Sequence, residues 1–206
     1  MTQTLPYLSE TSSQTAGPYV HIGLVPSQAG FDIFANNFTN NLLVPGVAGE
    51  VITIEGRIFD GSDTPIRDML VEIWQANSFG RYNSPEDQHK SLKLEPDFRG
   101  WGRTGTDFET GLFTFQTVKP GRVGDQKQAP HVSFWMAARG ISMGLATRMY
   151  FGDEAAANAA DPVLNVIEQA QRRQTLIAER SMRDGKPVYT FNLYLQGPKE
   201  TVFFDV

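Results

Sequence analysis

Few side chains in these 206 residues have the type and spacing to do chemistry. There is no cysteine, which removes thiolate metal sites and disulfides. The three histidines, His21, His89 and His131, stand far apart. None has a second histidine two to five residues away or the H-x-D/E spacing of a facial triad, so none announces a metal site by itself. His131 is the one that falls within a strand pattern, and taken alone it reads as a structural or supporting group. Gly100-Trp101-Gly102-Arg103-Thr104-Gly105 has the G-x-G-x-x-G spacing of dinucleotide sites. It follows no strand signal and opens no helix, so it reads as a glycine-rich loop. Asp107 and Glu109 lack the alternating ligands of a calcium loop, and with Gly111 they read as a hairpin turn. No strand–serine–helix nucleophile elbow supports a Ser-His-Asp hydrolase.

The elements that must position these groups are mostly strands. Leu112–Val118 alternates with period two, with Phe113, Phe115 and Thr117 on one face, and Lys119-Pro120-Gly121 ends it. A strand begins after Pro130, placing His131, Ser133, Trp135 and Ala137 together, with Arg139 ending it at the rim of the same pocket. Val51–Phe59, Met69–Gln75, Leu145–Phe151 and Lys186–Gln196 read as further strands. Thr201–Phe204 reads as a last one. Helix is expected at Asp153–Ala157, after the Asp161-Pro162 cap as far as Glu168, and over Gln171–Arg180. About seven short strands predict an all-β fold: a single-domain β-sandwich with long loops and a few short helices. Residues 1–23 read as an extended N-terminal arm and 24–206 as the sandwich domain.

Composition narrows the partners. A net charge of −5 offers no basic stripe for nucleic acid. No stretch approaches the roughly 18 apolar residues of a membrane span. No signal peptide is read at the N-terminus, so the expected location is cytoplasmic. Phe31, Phe34, Phe38 and Phe98 lie outside clear strand-core positions and suggest apolar surface for a protein partner.

One ordered set of motifs is more specific: Glu72-Ile73-Trp74-Gln75-Ala76-Asn77, Gly80-Arg81-Tyr82, Gly102-Arg103-Thr104, Lys119-Pro120-Gly121 and Pro130-His131. It resembles the intradiol ring-cleaving dioxygenases, over about Gln14 to Phe151, and the tail agrees as well. In that family one chain holds a non-haem Fe(III) with two tyrosines and a His-x-His pair. Tyr82 matches the first tyrosine and His131 the first histidine. Val123 stands at the place of the second tyrosine, and Ser133 at the place of the second histidine. Half the donors are therefore missing. The pattern resembles the alpha chain of a two-chain member, in which a homologous beta chain carries the iron. The resemblance implies no catalytic or metal-binding residue in this chain. It implies that the assembly cleaves 3,4-dihydroxybenzoate with O2 to 3-carboxy-cis,cis-muconate in aromatic catabolism. It implies too that Thr15, Gly17, Pro18 and Arg139 approach substrate in the partner's pocket. The rival readings are a non-catalytic β-sandwich binding module and a homomeric enzyme.

Overall fold

The computed structural model describes residues 14–32, 39–125, 127–142 and 144–205. Among the described residues nine strands form two facing layers. Strand β1 (Val51–Phe59) buries Ile52, Ile54 and Ile58 against Phe113 and Phe115 of β4 (Leu112–Val118), in antiparallel register with Ile54 opposite Phe115. Strand β8 (Lys186–Thr190) runs parallel to β1 on its other edge, and the two-residue β9 (Leu193–Tyr194) continues beside the end of β1. The other layer has the order β3 (Trp101–Gly105), β2 (Leu70–Trp74), β5 (His131–Ala137), β6 (Leu145–Phe151). Strand β7 (Ile177–Arg183) joins the layers, pairing first with Tyr150–Phe151 of β6 and then antiparallel with β8. The core between the layers takes alternate residues of each strand: Val71 and Ile73, then Val132, Phe134 and Met136, then Met149 and Phe151. This is the all-β sandwich expected.

Close approach of neighbouring chain within the β1 layer fixes one glycine. A Cβ on Gly56 would lie 1.9 Å from the carbonyl oxygen of Phe191 and 2.9 Å from the Phe113 ring. Overpacking of that kind forces backbone to move.

Several elements differ from expectation. Trp101–Gly105 is strand β3, not a glycine-rich loop. Its glycines mark close approach, since a Cβ on Gly102 would fall 2.5 Å from Leu42 and one on Gly105 would meet Gln28 and His21. Ile177–Arg183 is also strand, although alanine, glutamate, arginine and methionine favour helix. Pairing on both sides overrides that propensity, and only Ala170–Gln174 (α3) is helical. Lys186–Gln196 is broken at Phe191–Asn192, where Oδ1 of Asn192 accepts from the Arg57 N–H. The arm is not wholly extended, because Val20–Leu24 forms helix α1. Thr201–Phe204 supplies only a single bridge, from Phe204 to Ala146.

Helix α2 spans Ala155–Ala160, and Asp161 caps a 3-10 turn at Leu164–Val166 by accepting from the N–H groups of Val163 and Leu164. The helix expected as far as Glu168 stops there.

Candidate functional site

The first group of interest lies on the outer face of the β2–β5–β6 layer. Register puts Trp74, Ser133 and Arg148 in one row across three strands, and His131 beside Tyr150 in the next. Two loops close over this face. Oδ1 of Asn77 accepts from the N–H groups of Phe79 and Arg81, and its carbonyl accepts from Gly80 and Gly121. Gly80 has φ +83, and a Cβ there would meet the Arg122 carbonyl at 1.9 Å, so only glycine lets the two loops touch. The docking brings Tyr82 and Val123 together at a cleft of about 290 Å³ that Trp74, His89 and Gln128 also line.

Within it, the Tyr82 hydroxyl and Nε2 of His131 are 3.3 Å apart. Nδ1 of His131 lies 2.8 Å from the Ala129 carbonyl, which only accepts, so Nδ1 carries the proton and Tyr82 donates to Nε2. Ala129 is held by Asp161, whose Oδ2 accepts from its N–H at 2.7 Å. Burial, then the positive charge of Arg148, holds His131 neutral with its pKa lowered to about 4. Burial pushes the Tyr82 phenol above its ordinary range. The tyrosine is a phenol and the imidazole is satisfied, so this is a closed hydrogen-bonded pair.

A ferric ion does not fit here. Val123 offers no donor atom, Ser133 offers a poor one, and a cation is already beside Ser133. Among the described residues no three His, Asp or Glu side chains are grouped to hold a metal.

The second group is at the opposite end of β5. Six steps along the strand separate His131 from Ala137, roughly 20 Å at about 3.3 Å each, so Arg139 does not share the rim of Tyr82 and His131. The arm comes here instead. Oγ1 of Thr15 accepts from the Gly140 N–H at 2.7 Å and lies 3.2 Å from the Ala138 carbonyl, bracketing Arg139. Nε of Arg139 donates to Oδ2 of Asp68 at 2.5 Å. Gln28 anchors the base of the arm to β3, accepting from Gly105 and donating to the Thr106 carbonyl. His21 is buried edge-on to Phe108, and burial lowers its pKa, with smaller opposing effects from Asp68 and Arg139. Gly17 and Pro18 are exposed, and a Cβ on Gly17 would meet nothing within 4 Å.

The structure thus brings Thr15 and Arg139 together, with Gly17 and Pro18 on the same arm. Asp68 and Gln28 were not legible as partners, because their contacts bridge 71 and 77 positions in sequence. No G-x-S-x-G elbow is expected, yet Gly140-Ile141-Ser142-Met143-Gly144 has that spacing; it falls in sequence between β5 and β6, and strand, not helix, follows Gly144. Asp107 behaves as a turn residue, its Oδ1 accepting from Glu109 and Thr110.

A family model described as "Dioxygenase" matches residues 35–197. The chain is 48% identical to the protocatechuate 3,4-dioxygenase alpha chain of Pseudomonas putida over 201 residues, 96% of this chain and 97% of that one. It is 37% identical to the protocatechuate 3,4-dioxygenase beta chain of Burkholderia cepacia over 163 residues, 74% of this chain and 67% of that one. Among solved structures, the dioxygenase domain of a carbohydrate-binding fusion protein from Streptomyces sp. SirexAA-E superposes with a TM-score of 0.57 at 21% identity, covering 94% of this chain and all of that one.

Proposed function

The chain belongs to the intradiol ring-cleavage dioxygenase family, and from that premise we propose that it is the alpha subunit of a protocatechuate 3,4-dioxygenase. Near-full-length identity to an alpha chain, against partial and weaker identity to a beta chain, is the observation that carries this reading. Its partner is the homologous beta chain, and the substrates are 3,4-dihydroxybenzoate and O2. The non-haem Fe(III), with the activation of the catechol that it supplies, is assigned to that beta chain. No described residue of this chain is asked to hold it. The product is 3-carboxy-cis,cis-muconate. No described helix is long and apolar enough to cross a membrane, and we place the assembly in the cytoplasm.

What this chain adds is recognition. The substrate carries a carboxylate beyond its two hydroxyls, and burying that charge needs a cation or several donors. Arg139 is such a cation, 60% exposed at its side chain and already aimed by Asp68 through Nε. A guanidinium has donors at three nitrogens, so its terminal pair is left for a carboxylate supplied from outside the chain. Thr15 fixes the backbone on both sides of it. Gly17 and Pro18 present a narrow, exposed ridge that lets arm backbone approach a ligand closely. The proposed division of labour is an arm over residues 1–23 that reaches into the partner's pocket and a sandwich over 24–206 that carries it.

Reconstitution tests the reading. Neither chain alone should turn over 3,4-dihydroxybenzoate at the rate of the complex, and mixing should restore it. Full activity of the beta chain without this one would overturn it.

A further inference from the structure

The outer face of β2, β5 and β6 carries a fixed cation where the family resemblance leads one to look for a metal. Arg148 stands directly opposite Ser133 in the β5–β6 register, and paired side chains on one sheet face lie about 5 Å apart. Its Nη1 donates to Oε1 of Gln128 at 2.9 Å. Gln128 in turn is bridged to Val123, backbone to backbone, with N–H to carbonyl contacts of 2.9 and 3.2 Å. The two positions at which the family's ligands are replaced, Val123 and Ser133, therefore each adjoin one member of the Arg148–Gln128 pair. The guanidinium's charge also bears on Tyr82, His131 and Tyr150, three of the ring side chains of this face, acting to lower the pKa of each.

We infer that Arg148 takes the place of the metal's charge in this chain, so that ferric iron is excluded by an occupying cation and not only by two missing ligands. A guanidinium has no lone pair to donate and remains charged at any working pH. A ferric ion a few ångströms from it would meet like-charge repulsion in a setting partly shielded from water. The remaining donors are no longer waiting for a metal, since Tyr82 and His131 satisfy each other. Restoring the ligands is then insufficient while Arg148 is present. This inference rests on the reading of the chain as the iron-free subunit.

The test counts iron in the assembled complex with the beta chain, by elemental analysis after expression with added ferrous iron. Wild type should hold one iron per pair of chains; two would overturn the iron-free reading itself. The double variant Val123→Tyr/Ser133→His should stay at one. Adding Arg148→Met, of similar bulk and no charge, should raise the count to two, with a second tyrosinate absorption band. Adding Arg148→Lys instead should leave it at one. A second iron in the double variant, or in the lysine triple variant, overturns the inference, as does a correctly assembled methionine triple variant that stays at one. If the larger side chains prevent assembly, Arg148→His removes the charge and adds an imidazole beside Tyr82 and His131. That single variant should take up one Zn(II) per pair that the wild type does not, and no gain would overturn the inference.

Discussion

Replacing Arg139 by alanine in the assembled enzyme separates a substrate contact from a surface ion pair. Its side chain is 60% exposed and that of Asp68 30%, so the pair resembles exposed salt bridges worth about 0–1 kcal/mol. Arg139→Ala should therefore cost less than about 1 kcal/mol of stability. A charge-assisted bond from its terminal nitrogens to the substrate carboxylate is worth roughly 1.5–3 kcal/mol, which converts to about 10- to 150-fold in kcat/KM. The loss should be confined to 3,4-dihydroxybenzoate, because catechol has no carboxylate to lose. Asp68→Asn keeps the guanidinium but frees its Nε, and should lower the same ratio by a few-fold through looser aim. Steady-state kinetics on both substrates, with iron content matched, provides the readout. A ratio of the two kcat/KM values that Arg139→Ala leaves unchanged, alongside a weakened assembly, would make Arg139 an interface residue and not a substrate contact.

Thr15→Val removes the hydroxyl that brackets Arg139 and should weaken 3,4-dihydroxybenzoate turnover by several-fold, corresponding to about 1 kcal/mol, without loss of iron; Pro18→Ala should do less. His131 is held neutral, with a folded pKa of about 4 against an ordinary 6.5, so the unfolded chain binds its proton first as pH falls. The stability it confers is complete above pH 6.5 and declines towards pH 4, by about 3 kcal/mol at most. Melting curves of the assembly should show the advantage of wild type over His131→Gln shrinking across that window, and a constant difference contradicts the account. Gly56→Ala should destabilise by about 3 kcal/mol or more through the clash with Phe191, read by denaturant titration. Ile22 and Leu24 are exposed on α1, whose His21 packs on Phe108, and Ile22→Asp should weaken association with the beta chain in sedimentation, while an unchanged Kd would place the interface elsewhere.

The strands that carry the core were legible because each buries one face and leaves the other half-exposed. β1, β4 and β5 show this, with Ile52, Ile54 and Ile58, Phe113 and Phe115, and Val132, Phe134 and Met136 all inward. Two strands were not legible. β3 looks like a loop because its glycines answer to side chains of Leu42, Gln28 and His21, distant in sequence. β7 has helix-favouring residues, yet Asp184-Gly185 after it was a readable signal. Both residues have positive φ, 51 and 74, and form the two-residue turn of a β7–β8 hairpin. Of the aromatic residues taken as partner surface, Phe98 belongs to the core at 2% exposure and Phe31 is exposed, while Phe34 and Phe38 lie outside the described residues. The family motifs located Tyr82, Val123, His131 and Ser133, and nothing in their spacing pointed to Arg148, whose relevance comes from sheet register alone. The same holds for Asp68, which reaches Arg139 across the fold.

On the proposed function, the iron of this dioxygenase belongs to the beta chain, and this chain contributes pocket residues without a metal of its own. Iron content and the visible spectrum, measured side by side on the separated chain and on the complex, test it most directly. The complex should hold one iron per pair of chains and show a tyrosinate-to-iron band, and the separated chain should be colourless with no more than trace iron. Near-stoichiometric iron with that band in this chain alone would contradict the account.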